Sequence, residues 1–205
     1  MSLRTHFKNL LLLGLLSMAG ARASAGLLIE PAGGYSVGDR TLKVSDTHPD
    51  TGLRGAELSG SVDGLVYGGR VGWLFGRFFL GGDYQLIRGK QNLNQNAALT
   101  DFNMTTMYGT LGVWFNPGFR IFAAKAFEHK SVEENRPHPT TYKGDGYKVG
   151  LSYAYRMMPL AINVEYAVFE YKKAEINGVE YAAEDLFSSQ KFSTLILSIS
   201  LPFRF

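Results

Sequence analysis

Apolar residues alternate with small or charged residues along most of this 205-residue chain, and this period of two constrains the fold more than any other feature. Neighbouring side chains on a β-strand point to opposite faces, so each alternating segment predicts a strand with one apolar face. Each segment is close to the roughly 9–11 residues that a tilted membrane-crossing strand needs. The eight segments are residues 27–37, 65–75, 78–88, 104–115, 119–129, 147–157, 160–168 and 194–205.

The connections between these segments are alternately long and short. The predicted tight turns are Gly76-Arg77, Asn116-Pro117-Gly118 and Met158-Pro159. The long polar connections are residues 38–60, 89–103, 130–144 and 173–190. In an up-and-down antiparallel sheet this order puts every long loop at one end and every tight turn at the other.

The apolar face of the predicted strands carries large aromatic and aliphatic side chains, whereas the opposite face is small or charged. An eight-stranded barrel has an interior only wide enough for packed side chains. The small and charged face fits that interior, so the apolar face points outward, toward lipid. Aromatic residues near the tight turns predict a girdle at the membrane boundary: Trp73, Phe75, Phe78, Phe79, Trp114, Phe115, Phe119, Phe203 and Phe205. The sequence therefore predicts an all-β, eight-stranded antiparallel up-and-down transmembrane β-barrel.

Residues 1–25 have the organisation of a secretory signal peptide, and the predicted barrel domain is 26–205. A basic start precedes a ten-residue apolar stretch, and small residues allow cleavage after Ala23 or Ala25. The leader holds three of the 21 basic residues and no acidic one, which leaves 18 basic and 18 acidic residues in the rest. That balance excludes a basic nucleic-acid-binding surface, and the lack of cysteine excludes a disulfide scaffold and thiolate metal sites.

The signal peptide, the eight alternating strands and the final segment 195–205, which ends in Phe203-Arg204-Phe205, together resemble the bacterial outer-membrane β-barrel family. The resemblance is to its small OmpA/OmpX/Opa-like members. It implies a multi-pass protein of a Gram-negative-type outer membrane, with outer-membrane lipid and lipopolysaccharide as neighbours. It also implies that Phe203 and Phe205 form the C-terminal signal read by the outer-membrane assembly machinery.

Charged residues on the small face predict a network inside the barrel. Its predicted members are Glu30, Arg70, Asp83, Lys125, Lys148, Arg156, Glu165 and Arg204. Buried charges are tolerable only when paired. We interpret the network as a salt-bridged plug, with an ion path or gate as the alternative.

The assumed turn lengths decide which charges meet inside the barrel. A two-residue turn at Gly76-Arg77 places Arg70 opposite Asp83. A turn at Met158-Pro159 places Ser152 opposite Glu165. We expect a two-residue turn at Pro117-Gly118, because a three-residue turn would point Lys125 at lipid, at a cost of about 2–4 kcal/mol at mid-depth.

The predicted function is non-enzymatic: a closed barrel with four long extracellular loops and a structural or surface-interaction role. One alternative is a lipid A-modifying enzyme, since His129 and Ser131 have a spacing similar to that of lipid A deacylases, with Glu133 or Glu134 to orient the histidine. We favour a solvated loop base at His129. A narrow channel for small or apolar solutes and a soluble lipocalin-like barrel are further alternatives.

No cofactor or metal site is predicted. Asp46, His48 and Asp50 could in principle bind a cation, but loop residues of this kind are usually solvated. The four long loops carry mixed charge, which suits a hydrated surface. The sequence does not decide whether these loops recognise a specific partner or form a solubilising cover without a fixed one.

Overall fold

The computed structural model describes residues 25–46, 54–93, 99–115, 118–134, 140–155, 159–176 and 178–205. Its strands are β1 Ala25–Val44, β2 Glu57–Phe75, β3 Phe78–Leu93, β4 Thr100–Phe115, β5 Phe119–Glu133, β6 Thr140–Tyr155, β7 Leu160–Ile176, β8 Val179–Ala182, β9 Phe187–Ser200 and β10 Phe203–Arg204. One short helix, α1, spans Ala183–Leu186. Within the described ranges no helix is long and apolar enough to cross a membrane. The predicted leader lies outside these ranges except for Ala25.

Eight strands close into a ring. Each of β1 to β7 pairs antiparallel with the next, and β9 pairs with both β7 and β1. β10 extends the edge of β9 along β1, and β8 pairs with β7. The eight predicted strands match this ring, but the described chain has ten strand segments. Pro202, which has no N–H to donate, follows the end of β9, and β8 forms within the predicted fourth loop.

The strands are longer than the alternating apolar segments that predicted them. β1 has 20 residues and β2 has 19, and both continue into the predicted first loop. The other three predicted long loops are shortened in the same way. Polar residues prolong the strands because antiparallel pairing satisfies backbone N–H and C=O groups whether or not the side chains are apolar.

The two faces of the ring have the predicted orientation. Val71, Leu151 and Leu197 point outward and are 52%, 47% and 58% exposed, whereas Arg70 and Glu165 point inward and are each 5% exposed. The prediction of an apolar outer face and a charged inner face is therefore confirmed.

The outward apolar band has aromatic residues at both of its edges. At the tight-turn edge the exposed aromatic side chains are Trp73, Phe78, Phe115, Phe119 and Phe203. At the long-loop edge they are Tyr35, Tyr67, Tyr84, Tyr147 and Tyr166. The predicted girdle needs a correction, because Phe79 and Trp114 are buried inside the ring.

One of the three predicted hairpin registers is confirmed. At Gly76-Arg77, Phe75 pairs with Phe78 and Arg70 lies opposite Asp83. Gly76 has a φ of 61°, a left-handed conformation that glycine adopts without strain.

The other two registers differ from the predictions. Three residues, not two, separate Phe115 from its partner Phe119, and Gly118 N–H donates to the Phe115 carbonyl at 2.9 Å. A one-residue change in register turns every side chain of a strand to the other face. Four residues separate β6 from β7, so Asn163, and not Glu165, lies opposite Ser152.

Candidate functional site inside the strand ring

Glycines on the inner face make room for large side chains from neighbouring strands. A Cβ atom at Gly150 would lie 2.3 Å from the Phe122 ring, and one at Gly72 would lie 2.7 Å from the Phe79 ring. The Phe122 and Phe79 rings lie in the space that side chains at Gly150 and Gly72 would otherwise occupy. The narrow interior therefore holds bulky and charged residues without widening the ring.

A cluster of six ionised side chains lies at the centre of the ring, and we call it the central ionic cluster. Each member is at most 8% exposed. Its members are Glu30, Arg70, Asp83, Arg120, Lys148 and Glu165. Three cations face three carboxylates, so the cluster is neutral.

Arg120 and Glu30 form the best-aligned pair of the central ionic cluster. Arg120 Nη1 and Nη2 donate to the two Glu30 carboxylate oxygens at 2.6 and 2.7 Å. Two-point pairing of this kind combines a charge-assisted bond with fixed geometry. Nη2 also donates to Ser152 Oγ at 3.1 Å, and the Ser200 hydroxyl donates to Glu30 at 2.6 Å.

Arg70 and Lys148 connect the remaining carboxylates. Arg70 lies 3.0 Å from Asp83, 3.3 Å from Glu165 and 3.4 Å from Glu30. Lys148 Nζ lies 2.6 Å from Asp83 and 2.9 Å from Glu165. Every carboxylate therefore contacts two cations, which offsets the cost of removing these charges from water.

Aromatic rings cover the cations of the central ionic cluster. The Arg70 guanidinium lies 4.1 Å from the Phe122 ring centroid, and Lys148 Nζ lies 4.2 Å from that of Tyr108. Such contacts stabilise desolvated cations. The cavity beside the cluster, partly lined by Glu30, Arg70 and Glu165, has a volume of about 20 Å³. That is room for about one water molecule.

A second buried polar group lies nearer the long-loop end, and we call it the outer cluster. Its members are Arg40, Gln91, His129, Ser131, Glu133, Tyr142 and Tyr171. Arg40 Nη1 donates to Glu133 at 2.6 Å and to Gln91 at 2.8 Å. The guanidinium carbon lies 4.6 Å from the Tyr142 ring centroid and 5.2 Å from that of Tyr171.

His129 is buried inside the ring and is only 1% exposed. Its Nδ1 lies 2.8 Å from Thr106 Oγ1, and its ring stacks on Phe169 with centroids 4.0 Å apart. Ser131, 2% exposed, shares this inner face. The prediction of a solvated loop base at His129 is wrong, because β5 continues to Glu133 and carries both side chains inward.

The structure brings together five of the predicted network residues: Glu30, Arg70, Asp83, Lys148 and Glu165. Arg204 lies at the tight-turn end, where it is exposed and stacks 4.1 Å from the Trp114 ring centroid. Arg156, His48 and Asp50 lie outside the described residues. Phe203 and Phe205 are 40% and 74% exposed.

The prediction that Lys125 points inward is wrong. The three-residue turn places it on the exposed outer face of β5, with Nζ 5.7 Å from the Tyr147 ring centroid. A lysine facing lipid costs about 2–4 kcal/mol at the midplane and about 0–1 near the boundary. Its long side chain can extend toward the tyrosine-rich edge, which lowers that cost.

Sequence reasoning missed that Arg40, Arg120 and Glu133 form buried ion pairs, and it considered Glu133 only as a partner of His129. Arg120 lies between Phe119 and Ile121, two apolar residues that face outward, and this flanking pattern is the signal that could have placed it inside. Arg40 and Glu133 were assigned to loops because polar residues surround them. Nothing in the alternation of the sequence marks them as strand residues.

Ion pairs on the outer face lie above the apolar band and are largely exposed. Lys172 pairs with Asp145 at 2.7 Å, and Lys173 pairs with Glu180 at 2.6 Å. The hydrogen bond from Lys173 lowers the pKa of the Glu180 carboxyl. Such exposed pairs contribute little to stability.

No protein-family model matches the sequence, and no curated protein matches it. Among solved structures, the outer-membrane protein OprG from Pseudomonas aeruginosa is similar with a TM-score of 0.50 and 11% sequence identity, over 88% of this chain and 97% of that one. Neisserial surface protein A has a TM-score of 0.48 and 14% identity, over 88% of this chain and 99% of that one. The likeness to OprG shows that the chain has the fold of an outer-membrane β-barrel protein.

Proposed function

We propose that this protein is a non-enzymatic, integral outer-membrane protein whose closed, eight-stranded transmembrane β-barrel displays extracellular loops in a structural or surface-interaction role. It resembles the small OmpA/OmpX/Opa-like barrels. Its strands cross the outer membrane of a Gram-negative-type bacterium, with the tight turns in the periplasm and the long loops outside. Phe203 and Phe205 act as the signal for assembly.

The observation that carries this proposal is the combination of a lipid-compatible outside with a neutral, filled inside. Large apolar side chains are exposed on strand after strand, and a soluble barrel does not present such a surface. The six buried ions of the central ionic cluster neutralise one another, and the adjacent cavity of about 20 Å³ is far too small for a water-filled passage.

The two alternative functions have weaker support. Lipid A lies outside the barrel wall, whereas His129 and Ser131 are buried within it, so a lipid A-modifying reaction has no route to these groups. A narrow channel would require the central ionic cluster to separate, with each carboxylate losing two cationic partners.

Membrane fractionation and gel mobility test the proposed location. We expect the protein in the outer-membrane fraction, with faster migration in unheated detergent samples than in boiled ones, because the closed strand ring resists detergent until heated. Recovery as a soluble periplasmic protein without detergent would overturn the proposed location.

Planar-bilayer recordings test closure separately. Purified folded protein should give no stable single-channel steps, and Arg70→Ala should lower the unfolding midpoint without producing any. The matched control is Lys90→Ala, which removes an exposed lysine from the outer face of β3 and should change neither reading. Large, stable currents from the wild-type protein would contradict a closed barrel and favour the channel.

A further inference from the structure

Among the ring strands, within the described residues, β5 alone carries charged side chains on the outer face up to the tyrosines of the long-loop edge. Lys125 and Glu128 both point outward from it and are exposed. Lys125 is the sixth residue after Phe119, which begins β5, so it lies about 15 Å above the tight-turn end at 3.3 Å per residue and a tilt of about 40°. That height falls within an apolar band about 25 Å tall, where a charge is costly without an opposite charge nearby.

A β-bulge turns Glu128 outward. Side chains alternate along β5 as far as Ala126, so Glu128 would point into the ring if the alternation continued. The register with β6 shifts between Ala126 and His129, and neither Phe127 nor Glu128 has a partner there. Both side chains consequently project from the outer face, and Phe127 is 68% exposed. Bulges redirect side chains, and this one places a carboxylate and an aromatic ring beside Lys125.

The two charges on β5 are not neutralised by their own chain. Lys125 and Glu128 form no ion pair with each other or with another residue in the ranges that the structure describes. The Lys125 ammonium lies 5.7 Å from the Tyr147 ring centroid. Asp145, which faces outward on β6, pairs instead with Lys172 at 2.7 Å. One positive and one negative charge therefore stand close together on a lipid-facing strand, and each lacks a partner.

Small residues lie beside these charges toward the tight-turn end. Gly109 on β4 lies directly opposite Lys125, and Gly82 on β3 lies directly opposite Gly109. A Cβ atom at Gly109 would have no neighbour within 4 Å. Ala123 is the next outward residue of β5 below Lys125. Small side chains on a membrane-facing surface let two backbones approach closely, so this part of the wall can receive a second protein surface.

We propose that the outer face of β4 and β5 is the interface of a homodimer, whose two copies are related by a two-fold axis along the membrane normal. This inference rests on the proposed outer-membrane location. A two-fold axis brings the same patch of both copies into contact, so Lys125 of each copy lies beside Glu128 of the other. Both charges are then neutralised in the membrane.

The heights and charges on β5 fit a second copy of this chain. A two-fold axis along the normal keeps each residue at the same height in both copies, and Glu128 lies only about 5 Å higher than Lys125. A lysine side chain spans that difference. The small residues Gly82, Gly109 and Ala123 of the two copies meet below the ion pairs, and the Phe127 rings pack at their level. A strand that carries both signs of charge complements itself, which favours a second copy over an unrelated partner.

Energy transfer between labelled proteins in phosphatidylcholine vesicles tests the interface. The chain has no cysteine, so Ser59→Cys on the outer face of β2 provides a single labelling site above the apolar band. Wild-type protein with donor and acceptor labels should give transfer that falls as lipid dilutes it. Lys125→Glu and Glu128→Lys, each alone, place like charges face to face and should weaken association by about tenfold or more.

Mixing the two charge-reversed proteins separates pairing between copies from pairing within one copy. A donor-labelled Lys125→Glu protein should associate with an acceptor-labelled Glu128→Lys protein, because opposite charges then meet across the interface. The matched controls are Lys130→Glu and Glu57→Lys, which reverse exposed charges above the apolar band and should each change association by less than about twofold. Absence of transfer in the wild type, or absence of recovery in the mixture, would overturn the homodimer.

A neutral variant and gel mobility keep a folding defect apart from a failed interface. Lys125→Gln/Glu128→Gln introduces no repulsion, so it should form the barrel as readily as the wild type and still associate more weakly. Heat-dependent gel mobility of every variant reports whether the barrel forms. Normal mobility of the wild type without transfer at any protein-to-lipid ratio would sink the dimer alone, whereas loss of that mobility shift would overturn the proposed location and the dimer with it.

Discussion

The two buried clusters lie in the same ring, but they neutralise charge in different ways. In the central ionic cluster each carboxylate contacts two cations, Arg70 and Lys148 each contact more than one carboxylate, and Arg120 pairs with Glu30. In the outer cluster one arginine, Arg40, pairs with Glu133, and the rings of Tyr142 and Tyr171 cover its guanidinium. The central cluster is thus a network of three cations and three carboxylates, whereas the outer cluster is built around one arginine–glutamate pair within an aromatic core.

The difference follows from what surrounds each cluster. Small residues such as Gly150, Ser152 and Ser200 leave space for long charged side chains near the centre. Toward the long-loop end, aromatic and aliphatic side chains, including Phe102, Phe169 and Leu186, occupy the interior. Loss of one member of a network unbalances the charges that it shares with several others, whereas both members of a single buried pair can be replaced together.

The largest expected effect is that of Arg120→Met. The change removes both bonds to Glu30 and leaves one excess negative charge in a buried network. We expect the free energy of unfolding to fall by about 3–5 kcal/mol, measured by urea titration of the protein folded into lipid vesicles.

Lys125→Met is the matched control for Arg120→Met, because it removes a cation from the outer face of the same strand. It should leave the free energy of unfolding unchanged or raise it slightly. Equal losses for the two variants would show that the network does not stabilise the ring.

A smaller and reversible effect is expected for the outer cluster. Arg40→Met should cost about 3 kcal/mol, at the low end of the range for breaking a buried pair. Arg40→Met/Glu133→Gln should return to within about 1 kcal/mol of the wild type, because removing both charges of a buried pair together is often neutral.

The corresponding pair of changes in the central cluster should show no such recovery. In Arg70→Met/Glu165→Gln, Asp83 and Lys148 still lose shared partners, so the unfolding midpoint should stay low. Recovery in both double variants would remove the distinction between network and pair. The same vesicle-based urea titration measures the wild type, Arg40→Met and the two double variants.

The smallest expected effect is that of His129→Leu. The change keeps an apolar side chain against Phe169 but loses the hydrogen bond with Thr106, so stability should fall by about 1 kcal/mol. The lipid A composition of cells carrying this variant should match that of the wild type by mass spectrometry. Thr106→Val, which removes the same hydrogen bond from the other side, is the control. Loss of a lipid A modification in His129→Leu alone would favour the enzyme.

The fold was largely predictable because alternation is a local property of the sequence. The eight ring strands and the outward band follow from which residues lie two positions apart. The pairing of Arg70 with Asp83 needs in addition the two-residue turn at Gly76-Arg77. The end of each strand was not predictable in this way. Hydrophobic residues mark the part of a strand that faces lipid. The strand itself ends where backbone pairing ends, and this pairing continues through polar residues such as Arg40 and Glu133.

The inward face of β5 was predicted wrongly, which shows why the register of a strand is harder to predict than its existence. The turn between Phe115 and Phe119 has one residue more than predicted. As a result Arg120, and not Lys125, points into the ring. A bulge, where the register shifts between Ala126 and His129, then changes the phase again and brings His129 inward. Turn length and bulges depend on the fit of the whole ring, which no short stretch of sequence contains.

Strand pairing beyond the apolar band determines how far the exposed connections stand from the lipid. β1 continues seven residues past Val37, about 23 Å along the strand at roughly 3.3 Å per residue. At a tilt of about 40° to the membrane normal, this extension raises the first connection by roughly 18 Å. In the proposed orientation, a collar of paired backbone therefore holds the first connection clear of the lipid headgroups on the outer side of the membrane.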